Sequence, residues 1–287
     1  MNTNKKITRR SMKDMLDEHS KWLISGGREG ERFSYHGTII DLDLSGSDLT
    51  SADLSNATLV NCNLKCVILD HANLENTTFK SVNIVNSIMK DVDANNSEFG
   101  DCLILSTDMS ESNFVNSRFT DTYLEYSFGE NISFTSTTFV NVDMRSAKFI
   151  NCCFVESVIM NARCENTIFN ETVFDHAAFN DVQFNNAELI HTAFVNAGLR
   201  RADFTNANLS TAWFGRANII DCKFVNTYLE NANFTEARIE FPCFLDQRFE
   251  GVPNFSRARM KFDDVAYVEK LAHSSAIIDG ASMLTIA

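Results

Sequence analysis

At 287 residues, 44% hydrophobic and 22% charged, the chain carries 38 acidic against 25 basic side chains, a formal charge of -13. That balance argues against direct binding of nucleic acid or an anionic membrane surface, and it either keeps the surface soluble, the commoner use of such charge, or favours a basic protein partner; no apolar run approaches the ~18 residues that span a bilayer. The eight cysteines show no disulfide-framework spacing, so they read as small hydrophobes in a reducing compartment, and a cytoplasmic location is expected.

Residues 1–38 form a leader. Met1 to Lys13 is polar and basic, without the apolar core of a signal peptide. Over residues 11–24, Met12, Met15, Leu16, His19 and Leu23 fall at helical spacing, with Ser11 as N-cap and Gly26-Gly27 as the stop. The spacing predicts a helix lying across the first turn of whatever follows, with His19 and Trp22 as packing residues.

Residues 39–250 are one long repeat. From Ile39 to Phe249 an apolar residue returns at nearly every fifth position. The central slot holds Leu44, Leu49, Leu54, Leu59, Leu64, Leu69 and Leu74, then Phe79, Ile84 and Met89, and later Phe169, Phe174, Phe179 and Phe184; only Ala94, Gly129 and Cys164 depart from large apolar. Two residues before each centre stands a small one, as at Ala52, Ala57, Cys62, Val67 and Ala72. A period of five fits neither the 3.6 of a helix nor the 2.0 of a strand, so the chain must turn once per pentad, and four pentads make a square coil. Coils stacked at the sheet spacing of ~4.8 Å bury both slots, and no pentad buries its residues alone. Asn recurs two residues after the centre, at Asn56, Asn61, Asn76 and Asn96 among others, as expected of a corner that needs a turn conformation.

Ala52-Asp53-Leu54-Ser55-Asn56, Ala72-Asn73-Leu74-Glu75-Asn76 and Ala202-Asp203-Phe204-Thr205-Asn206 carry a resemblance. The chain resembles pentapeptide-repeat proteins, whose pattern is A(D/N)LXX. The resemblance covers roughly residues 39–250 and implies an all-β fold, a right-handed quadrilateral β-helix, here with short helical N- and C-terminal flanks. The one flaw in phase is Tyr126 to Ile132, where Gly129 takes a centre and Phe128 and Ile132 stand beside their slots; a local bulge is expected.

Residues 251–287 close the chain. Pro242 and Pro253 disturb the repeat, and Met260 to His273 places Met260, Val265, Val268 and Leu271 at helical spacing. This second helix is expected to cap the solenoid or to pair with a second copy as a homodimer.

Catalytic apparatus is not apparent. A filled square coil offers no cleft, and neither a phosphate-binding glycine loop nor a zinc-spaced cysteine pair is present. His71 and His191 are six coils apart, so they share no metal, and no cofactor is expected. Asp43, Asp48 and Asp53 belong to the acidic first half of the repeat, since residues 41–140 carry a net charge of -11. Residues twenty apart stack, which puts Cys153, Val173, Ala193 and Trp213 in one column and Val155 and Val195 in the next. Val155, Val173, Val195 and Trp213, with Asp43, Asp48 and Asp53, are the candidate partner-binding residues.

These readings favour a non-enzymatic interaction protein that presents an acidic surface to a protein partner. The family resemblance implies an alternative, since some members mimic duplex DNA and bind DNA gyrase. It implies another, a secreted bacterial effector.

Overall fold

The computed structural model describes residues 7–240, 253–262 and 282–285. Contacts divide the chain into two units, residues 1–138 and 139–287. The first contains helix α1 (Arg9–Ser25) and strands β1 (Thr38–Ile40), β2 (Thr58–Val60), β3 (Thr78–Lys80), β4 (Glu98–Gly100), β5 (Arg118–Thr120) and β6 (Phe128–Glu130). Strand β7 (Thr138–Val140) holds the boundary. The second contains β8 (Lys148–Ile150), β9 (Val158–Met160), β10 (Ala178–Asn180), β11 (Gly198–Arg200), β12 (Asn218–Ile220), β13 (Arg238–Glu240), β14 (Arg259–Phe262) and β15 (Ser282–Thr285).

Each unit is a parallel solenoid with the period the pentads predict. Ile39 pairs with Leu59, Leu59 with Phe79 and Phe79 with Phe99, always twenty residues on; Ile159, Phe179, Leu199, Ile219 and Ile239 do the same in the second unit. Among the described residues each pentad of the repeat has one left-handed residue two places after its centre, as at Asn56 (φ 60°), Asn96 (59°) and Asn206 (60°). Four such corners per twenty-residue period make the coil four-sided. Asn and Asp take many of these corners because their short polar side chains reduce the penalty of the left-handed region. Within a corner the N–H of Ala57 donates to Leu54 O at 2.9 Å, and between coils Leu54 N–H donates to Asn73 O at 2.8 Å.

The interior follows from that register. Stacked coils hold Phe79, Phe99 and Phe119 with ring centroids 4.7 Å apart, and Phe194, Phe214, Phe234 and Phe255 stack at the same 4.7 Å in the second unit. That distance is the spacing between strands. Burial of each such side chain stabilises by roughly 1.5–3 kcal/mol. Hydroxyl residues in the small slot are buried and, at several coils, bonded: Thr77 donates to Leu54 O at 2.8 Å, Ser97 to Leu74 O at 2.6 Å and Thr107 to Ile84 O at 2.8 Å. These bonds satisfy the hydroxyls and clamp one coil to the one before it. Cys62, Cys102 and Cys222 occupy the same slot, and the thiol of Cys62 points at Ile39 O, 3.6 Å away.

Three expectations are corrected. Ser11 is not the N-cap of α1; Thr8 is, and Ser11 three residues on closes a reciprocal capping box with it, because the two hydroxyls satisfy each other's backbone N–H. Gly129 causes no bulge. The ladder runs through it, with Met109 N–H to Phe128 O at 2.9 Å and Glu111 N–H to Glu130 O at 2.8 Å. Phe128 simply points outward, and Ile132, buried in the next small slot, extends into the space that Gly129 leaves. Finally, the helix expected from Met260 is not formed over Met260–Phe262, which belong to β14. After one extra residue Phe255, Ala258 and Met260 re-enter the pentad slots and are buried, so Ile239 pairs with Met260 twenty-one residues on. Strand β15 then pairs parallel with β14; residues 263–273, the rest of that expected helix, lie outside the described residues.

Helix α1 lies against the first coil, as its amphipathic spacing predicts. Met12 and Leu16 line a cleft with Leu42 and Asp43, and the buried His19 accepts the N–H of Phe33 on Nδ1 at 3.0 Å while stacking on Trp22. Gly26, at φ 64°, ends the helix.

Candidate interaction surfaces

Only three positions of each pentad face solvent: those flanking the centre and the left-handed corner. A surface site is therefore set by which outward residues stack at intervals of twenty. On that basis the three sequence-predicted aspartates do not form a site together. Asp43, Asp48 and Asp53 flank the centres Leu44, Leu49 and Leu54, which lie on three successive walls of one coil, so their carboxylates face three directions. Each is also engaged in its own strand. Asp43 takes the N–H of Ser45 at 3.0 Å, Asp48 that of Thr50 at 3.0 Å and Asp53 that of Ser55 at 3.1 Å. The hydroxyl and N–H of Ser45 hold the Asp43 carboxyl below the usual range. For Asp53, burial pushes the pKa up, but the bonds from Ser55 and the nearby His36 outweigh it and the net shift is downward.

The predicted apolar column is present. Cys153 bridges Val173, Val173 bridges Ala193 and Ala193 bridges Trp213. Trp213 is 53% exposed. Its indole lies flat across the strand over Gly215: a Cβ at that position would stand 2.7 Å from the indole Nε1. Only a glycine two residues on leaves room for that pose. A cleft of about 360 Å³ opens beside the ring, lined also by Val195, Arg216 and Glu236. Arg216 and Glu236 are paired at 2.8 Å. The neighbouring valines are less continuous than the sequence suggested. Asp175 sits between Val155 and Val195 in their column, and its carboxylate accepts the Val195 N–H at 2.9 Å. The valines are half-buried, so Trp213 is the one prominent apolar feature of this wall.

The first unit carries a larger apolar surface that sequence reasoning missed. Leu103 and Tyr123 stack one coil apart, and Ile88 stands in the column that leads through Asp108 to Phe128. Tyr126 occupies the corner between those two walls; in the column beside it half-buried Val85 and Leu105 stand in the two coils before Glu125. Ile88, Leu103, Tyr123, Tyr126 and Phe128 are five of the seven exposed large hydrophobic side chains among the described residues. Asp108, pushed up by burial, is nonetheless shifted down by Ser110 and by Lys90, whose ammonium lies 2.9 Å away.

Among the described residues no group of three His, Cys, Asp or Glu stands at metal-binding distance. His71 pairs with Asp91 at 2.8 Å and His191 with Thr211 at 2.7 Å, both as neighbours in corner columns. No helix among the described residues is long and apolar enough to cross a membrane.

Comparison with known proteins agrees with the coil geometry. A family model described as pentapeptide repeats matches in eight copies over residues 40–65, 59–93, 112–149, 183–219 and 212–241, together more than half of the chain. No curated protein matches by sequence. Among solved structures, the chain is similar to HetL, a pentapeptide repeat protein involved in heterocyst differentiation regulation from the cyanobacterium Nostoc sp. strain PCC 7120, at 16% identity, 92% coverage of each chain and a TM-score of 0.35. It is similar also to QnrB1, a plasmid-mediated fluoroquinolone resistance protein, at 13% identity over 79% of this chain and 89% of that one, TM-score 0.41. A pentapeptide repeat protein of the Arabidopsis thaliana thylakoid lumen matches 36% of this chain and 69% of its own at 14% identity, TM-score 0.29. The chain belongs to the pentapeptide-repeat family.

Proposed function

We propose that this protein is a non-enzymatic interaction module, which engages a protein partner through the outward side chains of its pentads. The observation that carries the reading is the concentration of exposed large apolar side chains on the first unit, in a stretch whose net charge is -11. Apolar patches of this kind mark contact surfaces, and the surrounding acidity selects a basic partner. The buried thiols of Cys62, Cys102, Cys152, Cys164 and Cys222, none of them in a disulfide among the described residues, support a reducing, cytoplasmic location. Affinity capture with the intact protein, against heat-unfolded protein as control, tests the reading. A partner retained in stoichiometric amount supports it; identical recovery on folded and unfolded protein contradicts it.

The acidity of the first unit also favours a second reading, a DNA-mimicking protein that binds DNA gyrase. That reading requires carboxylates in a phosphate-like array, whereas Asp43, Asp48 and Asp53 face three walls. Inhibition of gyrase supercoiling at near-stoichiometric protein favours it, and unaltered supercoiling at large excess removes it.

A further inference from the structure

We propose that the wall of the first unit bearing Leu103, Leu105 and Tyr123 docks a cationic amphipathic helix of a partner protein. The inference rests on the interaction-module reading and adds to it a place and a ligand chemistry.

The backbone excludes the commonest alternative for a sheet surface. A peptide that adds a strand needs an unpaired edge, and here both sides of the wall are taken by neighbouring coils: Leu103 N–H donates to Val82 O at 3.0 Å and Ile104 N–H to Tyr123 O at 2.8 Å. Recognition must run through side chains. A helix presents apolar side chains every three or four residues, ~4.5–6 Å along its axis, and successive coils repeat every ~4.8 Å. Apolar residues at i, i+3 and i+7 of a helix laid along the solenoid therefore meet Val85, Leu105 or Leu103, and Tyr123 in turn.

Charge decides the sign of the partner. Residues 41–140 carry a net charge of -11, and the corners beside Leu103 and Tyr123 are Asp101 and Asp121. On the adjoining walls Lys90 is committed to Asp108, and Lys80 and Arg118 line a cleft with Glu98 and Asp101, so the net charge of the stretch stays negative. An anionic or neutral helix would bring its apolar face into the same wall without compensation for the carboxylates it covers, whereas Lys or Arg flanking the apolar stripe meets them. Desolvated pairs of this kind favour the cationic helix and make its affinity depend on salt.

The test uses the full-length protein and a fluorescein-labelled 18-residue peptide of Leu and Lys, with Leu at helical i, i+3, i+4 and i+7 spacing. A scrambled peptide of the same composition and a Leu/Glu peptide of the same pattern are the controls. Anisotropy is expected to show salt-sensitive binding of the patterned Lys peptide alone. At least tenfold is lost in the Leu103→Asn, Tyr123→Asn double variant, and nothing in Trp213→Asp. If circular dichroism shows the double variant misfolded, Asp101→Lys, at an exposed corner, is read instead and is expected to weaken binding several-fold. Equal binding of the scrambled peptide overturns the proposal, because charge alone then suffices. So does binding that survives in the wall variants, or no binding at all. Binding lost only in Trp213→Asp overturns this wall yet leaves an interaction module, whereas failure of the capture experiment strikes that broader reading itself.

Discussion

Ile132 fills the space that a side chain at position 129 would occupy: its Cδ1 overlaps the place of a Gly129 Cβ, and its Cγ1 lies 3.0 Å from it. The usual division of large centre and small neighbour is reversed over two adjacent pentads, so the two residues are energetically one unit. Ile132→Ala is expected to cost about 2–5 kcal/mol through the cavity it leaves, and Gly129→Ala about 1–3 kcal/mol through overpacking. The combination Gly129→Leu with Ile132→Ala restores the normal pentad and is expected to be more stable than either part implies, with a coupling above about 1 kcal/mol. Chemical denaturation of the native chain, Gly129→Leu, Ile132→Ala and the double variant checks it; additive losses would show that the two sites do not share space.

The docking of α1 is expected to weaken in mild acid. His19 accepts a backbone N–H on Nδ1, so protonation there breaks the bond to Phe33. Burial lowers its pKa from 6.5; the Asp48 carboxylate and the carbonyl of Thr50 raise it, and Arg32 lowers it further. The unfolded histidine thus binds a proton more readily than the folded one. Its contribution is complete above pH 6.5 and declines as pH falls below that value. Fluorescence of Trp22, which stacks on His19 with ring centroids 5.7 Å apart, reports the helix during a pH titration. His19→Gln is expected to flatten the change below pH 6.5; an unchanged slope in that variant would assign the effect elsewhere.

Thr211 is a β-branched residue held at φ 60°, a region that disfavours branching at Cβ. Thr211→Asn is expected to raise stability by about 1 kcal/mol by placing a tolerant residue at the corner, and Asn96→Val to lower it by a similar amount at the same kind of corner. Thermal melts of the two variants should shift in opposite directions.

Thiol labelling is expected to separate the cysteines by burial. Burial pushes the thiol of Cys102 up to about 11 and that of Cys222 to about 12, with Cys164 also raised. Cys66, exposed at a corner, is expected to react with a maleimide reagent in native buffer while Cys62, Cys102, Cys152, Cys164 and Cys222 react only after unfolding. Mass spectrometry of the labelled peptides checks the order.

The coil was legible because a five-residue period admits few backbones, and Leu54, Phe79 and Phe204 all stand where that period puts them. The site was less legible. Five residues turn the chain through one corner, so Asp43, Asp48 and Asp53, close in sequence, share no wall, whereas Leu103 and Tyr123, twenty apart, do. Reading the outward positions at intervals of twenty reveals that patch from sequence alone, but Phe128 resembled a displaced core residue because Gly129 beside it left the centre empty. Asp175 went unnoticed because a single carboxylate between Val155 and Val195 does not alter the apolar period. At the C-terminal end one extra residue hid Phe255, Ala258 and Met260 from a strict count, and helical spacing after Met260 suggested a helix where β14 begins.

The most direct measurement is the affinity of a captured partner for four proteins by calorimetry: the native chain, Leu103→Asp, Trp213→Asp and the two changes combined. Outward apolar side chains are predicted to carry the binding, so at least one single variant should lose tenfold or more while all four proteins melt alike. Equal affinity across the four would contradict the claim that this protein acts through its surface apolar residues.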